Sequence, residues 1–131
     1  MDPQFHHIGI ACRDVEKTKA FYLELGYVAT PTVDDPLQHV RVVFLNKPGQ
    51  PRLELLEPLD EQSPVSRTLQ TAGVTPYHTC YEVENIETAI KALKERRFLL
   101  INGPVPACAM DNHRIAFLFQ KNTGLIELVE A

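Results

Sequence analysis

The chain carries no surplus of positive charge. Its 13 lysines and arginines are outnumbered by 17 aspartates and glutamates, giving a net charge of -4. No basic run or stripe is present to neutralise a phosphate backbone, which argues against a nucleic-acid partner. No apolar run approaches the ~20 residues that a membrane-spanning helix needs. Met1-Asp2-Pro3-Gln4 has no basic segment followed by an apolar one, so the start does not read as a signal peptide. Cysteine is scarce. Cys12, Cys80 and Cys108 are an odd number with no Cys-x-x-Cys spacing, and they are expected to be reduced, mostly core residues of a cytoplasmic protein. The remaining composition is ordinary: 131 residues, 44% hydrophobic and 23% charged, suit one globular domain or two small modules sharing a core.

Local patterns predict the elements. Phe5–Cys12 reads as a strand that stops at Arg13-Asp14. Asp14 caps a helix over Val15–Leu25, with Val15, Thr18, Phe21, Tyr22 and Leu25 at helical spacing and Gly26 at its end. Tyr27–Thr32 reads as a strand broken by Asp34-Asp35-Pro36. Val40–Asn46 and Arg52–Glu57 are strands joined by the turn Lys47-Pro48-Gly49-Gln50. Ser63-Pro64 starts a short helix over Val65–Thr71, ended by Gly73. The order then repeats. Tyr77–Val83 is a strand, and Asn85 caps a helix to about Arg97. Phe98–Ile101 is a strand broken by Asn102-Gly103-Pro104. Arg114–Gln120 and Leu125–Glu130 flank the turn Lys121-Asn122-Thr123-Gly124. The reading is an α+β fold of two βαβββ modules, residues 5–58 and 77–131, with 59–76 as connector. Together they make a single domain whose curled mixed sheet surrounds a central metal or ligand cavity.

The repeat carries chemistry. Each module has a histidine on its first strand and a glutamate in the middle of its last. His78 follows His7 at almost the same interval at which Glu127 follows Glu54. Both glutamates lie among apolar residues, where an unpaired charge is expensive. If first and last strands are neighbours, each pair points into one concavity. The two modules then bring two imidazoles and two carboxylates together. That donor set suits one divalent ion, Zn, Co, Ni, Mn or ferrous Fe, with positions left for water or substrate. Other polar residues read more plainly. His6 faces away from His7 by strand alternation. Glu57, Glu82 and Glu130 read as solvent-facing, and His39 and His113 lie beside turns. Arg41, Arg114 and Lys121 are candidates to meet anionic groups.

The stretches His6-His7-Ile8-Gly9-Ile10-Ala11, Arg52–Leu59, Ser63-Pro64-Val65, Tyr77–Val83 and Gly124–Leu128 resemble the vicinal oxygen chelate (glyoxalase/bleomycin-resistance) superfamily over essentially the full chain. Within it they are most similar to the methylmalonyl-CoA epimerases. The resemblance implies that His7, Glu54, His78 and Glu127 are metal ligands and that Glu127 also transfers a proton. It implies a metal-dependent isomerase or epimerase that removes a proton beside a carbonyl, with an acyl-CoA as leading substrate. The alternatives are a glyoxalase-I-like lactoylglutathione lyase and a non-catalytic, antibiotic-binding protein. Dimerisation is common in the superfamily, so a homodimer is a further expectation. Two departures stand out. The loop Pro104–Asn112 has no glycine where epimerases have several, and Val40-Arg41-Val42-Val43 offers no second carboxylate base.

Overall fold

The computed structural model describes residues 2–131. Its elements are β1 (Gln4–Ala11), α1 (Val15–Glu24), β2 (Val28–Ala29), β3 (Val33–Asp35), β4 (Val40–Asn46), β5 (Leu53–Pro58), α2 (Pro64–Ala72), β6 (Thr75–Val83), α3 (Ile86–Glu95), β7 (Leu99–Ala107), β8 (His113–Gln120) and β9 (Gly124–Glu130). They fall into two compact units, residues 7–77 and residues 78–131 with the start of β1 up to His6. No helix among the described residues is long and apolar enough to cross a membrane.

In the unit of residues 7–77, strand order is β2-β4-β5-β1. β1 and β5 run parallel, with Gly9 opposite Glu54, while β4 and β5 are antiparallel, with Phe44 opposite Glu54. β3 also lies against β4. Side chains alternate between faces. Ile10, Val43, Leu45, Leu53 and Leu55 form one buried cluster with Cys12 and Val15, backed by Tyr22 of α1 and by Tyr27. The unit of residues 78–131 repeats the plan as β6-β9-β8-β7. β6 and β9 are parallel, with Cys80 opposite Glu127, and β8 sets Phe117 opposite Glu127. Val83, Ile86, Ala89, Ile90, Ala116, Leu118 and Leu128 form its core against α3.

Helix starts follow the expectation. Asp14 accepts from the Glu16 and Lys17 amides, and Asn85 from the Thr88 amide at 2.9 Å. Each start also receives a strand carboxylate. Glu57 accepts the Val15 N–H at 2.8 Å and Glu130 the Ile86 N–H at 3.1 Å. A negative charge there suits the partial positive charge of a helix N-terminus. Arginine holds both carboxylates in place. Arg41 reaches Glu57 at 3.3 Å and Asp34 at 2.8 Å. Arg114 reaches Glu130 at 3.0 Å and Glu87 at 2.7 Å. Glu57 and Glu130 are therefore half-buried caps rather than solvent-facing residues.

Three strand expectations are corrected. Asp34 and Asp35 do not break the chain; they belong to β3, with Asp34 opposite Arg41. The strand expected over Tyr27–Thr32 shrinks to Val28–Ala29. Asn102-Gly103-Pro104 does not end a strand, because β7 continues to Ala107 through two register shifts, at Leu100/Asn102 and Asn102/Val105. Glycine makes this continuation feasible. Gly103 has φ +94°, and a β-carbon there would lie 2.3 Å from the Ile115 carbonyl oxygen. The cysteines are all free; Cys12 and Cys80 are buried and Cys108 is exposed. Burial pushes the Cys12 thiol up to about 11, so it stays protonated and inert.

Two outcomes follow. Gly103→Ala combines a left-handed backbone with a clash against β8, and lowers stability by about 2 kcal/mol or more in chemical unfolding. The hydrogen-bonded Arg114 guanidinium holds the Glu87 and Glu130 carboxyls below the usual glutamate range. Their stabilisation is present in full above the unfolded-state value and is lost as pH falls through the lower folded value. The unfolding-temperature gap between the wild type and Arg114→Leu should stay constant from pH 8 to about 5 and close below about pH 4.

Candidate metal centre

The candidate ligands sit on the sheet faces turned away from the helices. On β5, Leu53 and Leu55 pack in the core cluster, so Glu54 points to the other face. On β1, Ile8 packs against that cluster, which turns His7 to the same side as Glu54. The parallel pairing then closes the contact: His7 Nε2 lies 3.0 Å from Glu54 Oε1. In the other unit, Leu128 and Ile126 face α3 and Glu127 faces away. His78 Nε2 lies 3.1 Å from Glu127 Oε1. None of the four residues is more than 4% exposed.

Each pair has a third member that the sequence analysis missed. Phe44 stands edge-on to the His7 ring, with centroids 5.2 Å apart and planes at 76°. Phe117 stands edge-on to His78 at 5.3 Å and 83°. Both phenylalanines lie directly opposite the glutamate of their pair. Edge-to-face contact favours such pairs and restricts how the imidazole can turn. A signal existed: Phe117 follows Phe44 at the same interval at which Glu127 follows Glu54.

Chemically, each pair is a buried neutral-or-cationic imidazole against a carboxylate. Burying a lone carboxylate costs several kcal/mol, so the charge needs compensation. The imidazole beside each carboxylate, its Nε2 about 3 Å from Oε1, supplies some. A divalent cation met by imidazole nitrogen and carboxylate oxygen supplies more, and the donor types fit Zn, Co, Ni or Mn.

The other sequence candidates lie elsewhere. Arg41 and Arg114, expected to meet external anions, are committed to the helix-capping carboxylates. His39 contacts Asp60 at 3.0 Å, and His113 Nδ1 contacts the Glu130 carbonyl at 2.8 Å. Lys121 is exposed in the turn between β8 and β9.

Known proteins share the family and the fold of this chain. The family model of the glyoxalase/bleomycin resistance protein/dioxygenase superfamily matches residues 6–117. The chain is 37% identical to human mitochondrial methylmalonyl-CoA epimerase, across 98% of this chain and 74% of that protein. It is 34% identical to the ethylmalonyl-CoA/methylmalonyl-CoA epimerase of Cereibacter sphaeroides, across 95% of this chain and 96% of that one. A solved structure of a Streptomyces coelicolor methylmalonyl-CoA epimerase variant with 2-nitronate-propionyl-CoA superposes with a TM-score of 0.83 at 27% identity, covering 98% of this chain and 96% of that one. Family match, near-full-length identity and shared fold lead to one conclusion: the chain belongs to the glyoxalase/bleomycin resistance protein/dioxygenase superfamily.

Proposed function

We propose that this chain is a methylmalonyl-CoA epimerase that holds one divalent cation on His7, Glu54, His78 and Glu127. The observation that carries the reading is the duplicated buried pair, His7–Glu54 at 3.0 Å and His78–Glu127 at 3.1 Å, in a chain with epimerase relatives along nearly its whole length. A sequestering protein has no use for four buried ligand-type residues, and the epimerase relatives favour this reading over a lyase. The two carboxylates match the charge of a divalent ion, and the imidazoles supply two neutral donors. A cation there supplies positive charge where the enolate's negative charge develops. The three free cysteines support a reducing compartment such as the cytoplasm.

The protein's own groups move the proton. The α-carbon of methylmalonyl-CoA lies between a thioester carbonyl and a carboxylate. Glu127 takes its hydrogen as a proton, leaving the electron pair in the enolate. A proton taken up from solvent and delivered to the opposite face gives the other epimer, and Glu127 is regenerated when its proton passes to solvent. Glu54 occupies the repeat-equivalent position of Glu127 and is the candidate for that opposite face.

Three outcomes test this. Protein purified without added metal, or reloaded with cobalt, should carry near one ion per chain, and His7→Ala and Glu127→Ala should lose it. Two ions per chain would mean that the pairs act separately; no uptake of any divalent ion would sink the metal reading. Glu127→Gln keeps an oxygen ligand but no base, so solvent deuterium exchange into methylmalonyl-CoA should fall about a thousandfold. Glu54→Gln should retain metal and lose inversion while keeping exchange from one epimer; unchanged inversion would exclude Glu54 as the second base.

A further inference from the structure

The hairpin that carries each glutamate repeats unevenly, and the unevenness singles out one side chain. On the face with Glu54, Val42 lies opposite Leu56 and Phe44 opposite Glu54. On the face with Glu127, Ile115 lies opposite Val129 and Phe117 opposite Glu127. Two residues further along, Phe119 lies opposite Leu125, where the interval of the repeat places Asn46 and Arg52 in the other copy. Aliphatic residues are thus exchanged at one end of the face, and polar for apolar at the other. Of these positions, only the phenylalanine and the glutamate between them are the same residue in both copies.

Filling space does not require this identity. Val42, Leu56, Ile115 and Val129 are each no more than 4% exposed, and there the two copies reach the same burial with different aliphatic side chains. The phenylalanines themselves differ in burial, Phe44 at 8% exposed and Phe117 half-buried, so a common packing environment does not account for the shared ring. What they share is an imidazole. Phe44 meets the His7 ring with centroids 5.2 Å apart and planes at 76°, and Phe117 meets the His78 ring at 5.3 Å and 83°.

A ring set across another limits how it can turn. The outer torsion of a histidine side chain is broad, so a well-placed Cβ does not by itself fix the ring plane. An imidazole nitrogen binds a cation along its lone pair, in the plane of the ring. Whatever fixes the plane therefore fixes the direction in which a cation can be held. Turning His7 or His78 about the outer torsion would break the edge-to-face contact or drive ring atoms into the phenyl group. We propose that Phe44 and Phe117 are positioning residues that set the ring planes of His7 and His78, and with them the direction in which each Nε2 meets a divalent cation. The proposal rests on the metal reading above and concerns what holds the imidazoles, not which residues are ligands.

Two measurements test it: cobalt affinity, read by competition with a chelator, and ring mobility in the metal-free protein, read as NMR order parameters of the histidine Cδ2–H bonds. Phe44→Leu and Phe117→Leu keep an apolar side chain and remove the ring. Each should weaken cobalt binding about tenfold or more. Each should also lower the order parameter of the imidazole it faces, His7 for Phe44→Leu and His78 for Phe117→Leu. Phe117→Tyr retains the ring and should keep both readouts at the wild-type level. Ile115→Val removes buried apolar volume from the same face and should lower the unfolding temperature, yet leave cobalt affinity and both order parameters unchanged. Wild-type cobalt affinity or wild-type order parameters in the two leucine variants overturn the proposal. So does a loss of affinity in Ile115→Val as large as in Phe117→Leu. A wild type that takes up no divalent ion overturns the metal reading instead, and the order parameters still decide whether the phenylalanines hold the rings.

Discussion

The structure depends on a carboxylate buried against an imidazole on the helix-free face of a sheet. Glu54 and Glu127 are only 3% and 2% exposed, and each has a histidine nitrogen within about 3 Å. A lone charge in that position costs several kcal/mol, comparable with the whole stability of a small domain. The surrounding architecture keeps the charge matched. Parallel pairing of the first and last strand of each unit puts histidine and glutamate on one face, with the histidine two residues before the glutamate's direct partner, Gly9 or Cys80. A phenylalanine from the antiparallel neighbour closes the side of the pair. The core on the opposite face keeps the strands from slipping, since a one-residue shift would send the glutamate into the apolar cluster.

The last strand of each unit uses acidic residues on both faces. Glu54 and Glu127 lie on the face that carries His7 and His78. Three residues later, Glu57 and Glu130 serve the other face, where each accepts the first amide of a helix and is gripped by arginine. The grip ties the end of the Glu54 or Glu127 strand to the helix that follows the histidine strand. The strands that carry the buried His–Glu pairs are therefore also held by hydrogen bonds made on the reverse side of the sheet.

The two histidine–glutamate pairs were legible in the sequence because they depend on residue type and spacing. A histidine and a glutamate that recur in the second half at nearly equal intervals survive any error in element boundaries. The α1 and α3 starts were legible for a similar reason, since Asp14 and Asn85 are local caps. Nonlocal partners were not. Glu57 and Glu130 look solvent-facing by alternation, and their role depends on a helix 42 and 44 residues away in sequence. Phe44 and Phe117 read as ordinary strand aromatics; only the register across the hairpin shows which side chain they meet. Asn102-Gly103-Pro104 has the composition of a turn, and tertiary pairing with β8 overrides it.

The small mismatch between the histidine interval and the glutamate interval has a consequence for how such a protein can change. Between histidine and glutamate the second copy is slightly longer than the first. The additional length falls in the irregular β7 and in the turn of residues 108–112, which replaces the shorter turn of residues 36–39. None falls in the hairpin that sets phenylalanine opposite glutamate, where both copies keep identical register. Insertions and deletions at the edge strand are thus nearly silent at the His–Glu pairs, while one between β8 and β9 would rotate Glu127 out of place. Length variation among descendants of a duplicated half should accumulate on the outer strand and spare the inner hairpin.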